Sequence, residues 1–368
     1  MESNEKTEGN IKKKQTGFII LFIVVMLTSL IIKEKGLHIF NEGNKKLKLS
    51  KELNIILEDK SQVKLYDEGF TISNDKYITN YNLDGEKTWS EAISYKNGLA
   101  LLGKNNTYLG DLESGKIVAI NNKGEKIWTY ETHNPIHMIT NRKDYLIIFS
   151  KINRDIRKVH IINQDGKEIF SRQESKKEFL AANVSPNGKG FAVSSIDLDK
   201  VVLKGVVTYF REDNSNSLEK EFERETVYDI LFINNNKILL IMEKRLVCID
   251  DEGNIIWKKN LSNSIRDLAV LKNNNIAILY DEDTSKLEIL HAEGDTEYKK
   301  SFKSQYKDII TDENKIFLVG EKNITGINKN NIFLEYRSRE KIKKVDKIDE
   351  KVFIFDEQKV KIMDIVNR

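Results

Sequence analysis

The sequence predicts an all-β fold: a β-propeller of eight four-stranded blades, with seven as the alternative count. Three observations predict it. A glycine-to-aromatic turn recurs roughly every forty residues, a second Asn-rich turn opens short apolar strands, and turn signals follow one another too closely for helices.

The first turn reads GEKTW at Gly85–Trp89, GEKIW at Gly124–Trp128, GKEIF at Gly166–Phe170, GNIIW at Gly253–Trp257 and GDTEY at Gly294–Tyr298. Each glycine stands four residues ahead of an aromatic and follows an alternating strand, which is the pattern of a hairpin. Asp84-Gly85 and Asp165-Gly166 supply the positive φ that such a turn needs. Degenerate copies fall at Asp213–Asn216 and Asn330–Tyr336.

The second turn is polar and precedes strands such as NRKDYLIIFS, NNNKILLIM, KNNNIAILY and DENKIFLVG. Leu146–Phe149 and Ile238–Met242 are apolar on both faces. A one-sided sheet alternates; a strand sandwiched between neighbouring blades does not. Two strands fit between the two turns, and one before and one after complete a blade of four. Counting from Gly69-Phe70 to Lys351–Phe355 gives eight blades. The last ends with Val360–Ile365 and lacks an outermost strand, so Leu53–Leu57 in ELNIILED is expected to pair with it, close the ring and remove two open sheet edges. The short first repeat and an insertion around Asp197–Leu203 in the fourth leave seven open.

Ahead of the repeats, Gly17–Ile32 runs without a charge, flanked by Lys12, Lys13 and Lys14 and by Lys33, Glu34 and Lys35. At the helical rise this covers about 24 Å of a hydrocarbon core of about 30 Å, a short span that snorkelling lysines extend. No small-residue cleavage site follows, so the segment reads as an uncleaved anchor rather than a signal peptide. The expected organisation is a cytoplasmic tail over 1–16, a transmembrane helix over 17–32, a tether over 33–51 and a propeller over 52–368 outside the cytoplasm. Lys45, Lys46 and Lys48 dilute the charge asymmetry that sets this orientation.

Sixty basic residues face 57 acidic ones, a formal net charge of +3. That balance gives no field to recruit nucleic acid. Cys248 is the single cysteine, so no intrachain disulfide staples the domain.

The glycine, three residues, then tryptophan spacing that closes each repeat resembles the quinoprotein-like (PQQ-type) β-propellers. In that group the tryptophan docks one blade onto the next, and the resemblance covers roughly residues 53 to 366. An anchor followed by degenerate copies of the motif is similar to a family of membrane-bound Gram-positive propellers known as a domain of unknown function. The resemblance implies a shape and a location rather than a reaction.

Several residue groups invite a chemical reading. Trp89, Trp128 and Trp257 would make a stacking platform, but they hold equivalent positions in different blades, and inter-blade packing accounts for all three. His133 and His137 have the spacing of a helical zinc pair, yet Pro135 between them opposes a helix and no third ligand is identifiable. Asp281, Glu282 and Asp283, and Asp197 with Asp199, lack the glycine and terminal acid of a calcium loop. Lys341–Lys344 reads as exposed strand positions rather than a phosphate track.

No nucleophile elbow, P-loop or dinucleotide fingerprint occurs. No catalytic, cofactor-binding or metal-binding residue is assigned, and no cofactor is expected. The reading is a membrane-anchored binding or scaffolding module for envelope proteins or polymers. The alternative is an extracytoplasmic enzyme of the quinoprotein or polysaccharide-acting type.

Overall fold

The computed structural model describes residues 45–58, 60–212 and 217–368. Within them the chain forms thirty-two strands paired into seven sheets. Six sheets have four strands each, covering 62–92, 98–131, 136–175, 177–223, 227–260 and 265–301. The seventh has eight strands and consists of two four-stranded runs, 308–337 and 344–367 plus 45–53, joined by one parallel bridge between Lys45 and Leu334. Among the described residues no helix is long and apolar enough to cross a membrane, and the anchor expected over Gly17–Ile32 lies outside them. The degenerate turn at Asp213–Asn216 also lies outside the described residues.

Each four-stranded run is antiparallel and meets the next through its own hydrophobic cluster. Eight such clusters occur among the described residues, and one of them joins the last run to the first through Leu53, Phe70, Phe353, Phe355 and Val360. The sheets therefore follow one another around a ring, as the blades of a β-propeller.

Burial follows strand position. The second strands Gly69–Ser73 and Ile276–Tyr280 are buried throughout, because both of their faces meet neighbouring blades. The outer strands Lys87–Ala92, Lys126–Glu131, Ile255–Asn260 and Thr296–Ser301 alternate between half-buried and exposed, as rim strands with one solvated face should.

The glycine turns form as the sequence implies: Gly85, Gly124, Gly166, Gly253 and Gly294 all have φ between +81° and +92°. In four of them an Asx side chain three residues earlier ties the loop. Asn82, Asn121, Asn163 and Asp250 each accept backbone N–H groups from two and four residues further on.

The ring closes with a different strand from the one anticipated. The outermost strand of the last blade is Lys45–Leu53, antiparallel to Val360–Asn367 from Lys45↔Asn367 to Leu53↔Val360, with an irregularity between Leu49 and Lys51. Leu53–Leu57 does not supply it. Only Leu53 is in the strand, while Ile55 and Leu57 are buried in the connection that follows. The tether expected over 33–51 is thus strand from Lys45 onward, and the propeller starts before residue 52. The physical reason is that KKLKLSKEL occupies a rim position, where one face stays in water. Lys46, Lys48 and Glu52 are exposed on that face, while Leu47 and Leu53 join the hydrophobic clusters on the other.

Antiparallel order sorts the loops. Within each blade, the turn after the first strand and the glycine turn lie at one end of the sheet; the turn after the second strand and the crossing to the next blade lie at the other. Since Lys45 pairs with Asn367, the chain enters at the glycine-turn end of the eighth blade.

Candidate functional site

The three tryptophans are structural. Each indole Nε1 donates to a carbonyl in the following blade: Trp89 to Asn122 at 2.8 Å, Trp128 to Gln164 at 2.8 Å and Trp257 to Ala292 at 2.9 Å. Their faces cover the glycine turns, and they line no cavity together.

The histidines of HNPIH do not converge. His133 is exposed and faces Glu131, whereas His137 meets Glu178 at 3.4 Å, and Glu178 also accepts from Arg157 Nε at 2.9 Å. Burial lowers the His137 pKa against the opposing pull of Glu178. The acidic turns are answered by cations: Asp199 by Lys176, Asp281 by Arg266 and Glu282 by Lys286. Among the described residues no group of three or more His, Cys, Asp or Glu side chains is arranged to hold a metal ion.

Two buried polar networks stand where the sequence reading placed only strand. In the third blade His160 is 2% exposed; its Nε2 lies 2.9 Å from Ser150 Oγ and its Nδ1 2.8 Å from Glu168 Oε2. Tyr130, from the blade before, hydrogen-bonds to the same carboxylate. Burial would raise the Glu168 pKa, but hydrogen bonds from His160, Tyr130 and Ser171 more than offset it and hold the group at about 2. Serine, histidine and glutamate in this order have the connectivity of a hydrolase triad. Ser150 is completely buried within the sheet, so no substrate reaches its hydroxyl, and the network serves packing. In the sixth blade Glu288, 2% exposed, accepts from Tyr280, Thr296 and Lys259 at 2.7, 2.8 and 3.1 Å. The buried charge of Glu288 thus has its partners, as burial requires.

Around the axis, polar side chains of the inner strands tie neighbouring blades. Asp267 accepts the Ile309 N–H at 2.6 Å, Asp346 the Leu65 N–H at 3.4 Å, and Asn183 donates to the Ile230 carbonyl at 2.9 Å. Arg142 reaches Asp229 at 2.6 Å, from the third blade to the fifth. These groups are spent on the ring itself.

Two features of the surface are left over. One is a cavity lined by polar and charged side chains at the seam of the seventh and eighth blades. The other is the turn after the second strand of the fourth blade, where the insertion around Asp197–Leu203 exposes Leu198, Val202 and Leu203 by about half and Val201 completely. The neighbouring Lys200–Lys204 and Glu223–Arg224 segments frame a cleft of about 290 Å³ beside it. Four aliphatic side chains in one exposed loop are unusual for a soluble surface and mark a place where contact with another molecule would be favourable.

The structure resembles known propellers at low sequence identity. It is similar to BamB from Moraxella catarrhalis, with a TM-score of 0.56 and 11% identity over 86% of this chain and 99% of that one. Similarity to the Dos1 propeller has a TM-score of 0.54 at 12% identity, over 88% and 96% of the two chains. A eukaryotic initiation factor aligns at 0.52 and 12%, over 82% and 83%. At such identities the likeness concerns the fold alone. No curated protein matches the sequence. The sequence does match one family profile, over residues 28–365, a stretch that takes in nearly every strand of the ring described above, and on that match the chain belongs to the family of unknown function DUF5711.

Proposed function

We propose that this protein is a membrane-anchored binding or scaffolding module. In this reading Gly17–Ile32 is a single-pass anchor with the N-terminus in the cytoplasm, and an eight-bladed, quinoprotein-like propeller stands outside a Gram-positive cell membrane. It holds envelope proteins or polymers against its loops.

The observation that carries the reading is the exposed aliphatic loop of the fourth blade. In a ring of eight, that blade stands opposite the eighth, where the chain enters at Lys45, and the loop sits at the end of the sheets away from the entry point. A disc tethered at one rim would therefore offer this loop as its far point. Lys200 and Arg224 are balanced by Asp197 and Glu223, so an apolar centre is ringed by mixed charge, the anatomy of a protein interface.

The test has two parts. Protease added to intact cells degrades residues 45–368 if the domain is outside, and a protected domain reverses the orientation. Crosslinking in the same cells captures a partner with the native chain and loses it with Val201→Asp/Val202→Asp; retention of the same partner by that variant removes the loop from the interface.

A further inference from the structure

The cavity at the seam of the seventh and eighth blades carries an inference independent of membrane anchoring. Its volume is about 490 Å³, and every side chain that lines it is polar or charged. At its base Lys361, whose side chain is 15% exposed, meets Asp356, 4% exposed, with Nζ 2.9 Å from Oδ2.

One oxygen of the carboxylate has used its capacity, and the other is buried against the ammonium. Oδ1 of Asp356 accepts the backbone N–H groups of Gln358 and Lys359 at 3.0 and 2.8 Å, and Oδ2 faces the ammonium. Burial works to raise the Asp356 pKa, but Lys361 and those two amides keep it below its usual value, so the pair is ionised. Lys361 has three donors, and Asp356 is its one ion-pair partner among the described residues. The other N–H groups of the ammonium are thus open to the cavity, where an oxyanion can accept from them.

The walls add more donors. Lys322 and Arg339 form no ion pair among the described residues, and Lys359 spends one bond on Glu52. The remaining acids of the wall, Glu340 and Glu357, are exposed; neither lies within ion-pair distance of Lys361, though the charge of Glu340 acts on it. Lys361, Lys322 and Arg339 therefore bring unused donors to the cavity, alongside the exposed carboxylates of Glu340 and Glu357. We propose that this cavity binds a phosphate group, with Lys361 as the buried contact and Arg339 and Lys322 closing over it. A tetrahedral oxyanion accepts from several directions at once and takes a guanidinium in bidentate fashion, which suits donors that arrive from three separate segments of chain. Inorganic phosphate and the phosphodiester of an anionic polymer share this chemistry.

The test uses the full chain in detergent at low ionic strength, titrated by calorimetry with inorganic phosphate, with a synthetic phosphodiester polymer, and with chloride at matched ionic strength. Saturable binding of either phosphate form at one site per propeller is expected, with no chloride binding. Phosphate alone identifies a free-anion site and polymer alone a polymer site; both support the assignment. Arg339→Gln, an exposed position that leaves the fold intact, should weaken binding about tenfold, and Lys361→Met/Asp356→Leu, which removes the pair together, should abolish it. The neutralising variant Lys123→Met, in a glycine turn of another blade, should bind as the native chain does. Absence of saturable binding by both probes, or equal binding by the Arg339 and Lys361 variants, overturns the proposal.

Discussion

The indole of Trp128 lies flat against Gly166 of the next blade: a Cβ placed at Gly166 would stand 2.7 Å from the ring, and Nε1 of the same ring bonds the Gln164 carbonyl at 2.8 Å. Gly166 also has φ of +81°, which disfavours any L side chain. Gly166→Ala should therefore lose about 2–4 kcal/mol, from left-handed strain together with displacement of the ring. Gly110→Ala, where the new methyl meets nothing closer than 3.8 Å, should stay within about 0.5 kcal/mol of the native chain. Urea midpoints followed by tryptophan fluorescence separate the two, and equal midpoints would remove the docking role of Trp128.

Leu53 makes the corresponding contact at the ring closure. It is 5% exposed, ends the closing strand, and lies against Gly85 of the first blade, where a Cβ would stand 3.1 Å from its side chain. Leu53→Ala should cost about 2–5 kcal/mol, in line with large-to-small changes in packed cores. A chain starting at Lys45 should melt like the full-length protein, whereas one starting at Asn54 should melt well below it, because the last blade then loses its rim strand and the first its cover. Coincident melting of the two truncated chains would show that the ring does not depend on this strand.

What the sequence made legible follows from what a repeat exposes to inspection. The glycine turns, the strands buried on both faces and the tryptophan docks recur at fixed offsets, so each copy supports the others. The closing strand has no copy to support it. Its Lys45, Lys46 and Lys48 look like a solvated tether, and only the pairing with Val360–Asn367 reveals which face is covered. The Asx residue three positions before the turn glycine was readable in Asn82, Asn121, Asn163 and Asp250, and it was a second signal of the same hairpin. The network of Tyr130, Ser150, His160 and Glu168 was not readable, since its members come from four strands and two blades and join only when the sheets pack. The one local hint was a histidine inside the apolar run KVHII.

That network sets an acid sensitivity. Glu168 falls from an ordinary value of 4.5 to about 2 in the folded chain, so its folded pKa is depressed. A depressed carboxyl contributes stability above its unfolded pKa, and that contribution is lost as pH falls from about 4.5 towards about 2. Native stability should drop over that interval, and Glu168→Gln, which forgoes the contribution at every pH, should be less stable near neutrality and show a flatter drop. Partial solvent exposure of Glu168 limits the size of the effect. Urea midpoints measured at pH 6, 4 and 3 check the slope; parallel slopes in the two proteins would separate Glu168 from the acid response.

Cys248 offers a direct probe of the ring as a whole. It lies on the third strand of the fifth blade, completely buried, and burial pushes its thiol from 9.0 up to about 12. Thiolate is the reactive form, so at pH 8 the native protein should resist a thiol reagent on both counts, and one adduct per chain should appear only in denaturant. Since Cys248 is the single cysteine, the mass shift reads one site. Labelling under native conditions then requires opening of the sheet, and its rate follows the open population when closing outpaces reaction. Gly166→Ala, two blades away, should accelerate labelling if the ring opens as one unit. If the blades open independently, Gly166→Ala should leave the Cys248 rate unchanged while still lowering the urea midpoint, and rapid labelling of the native chain would place the thiol outside the core altogether.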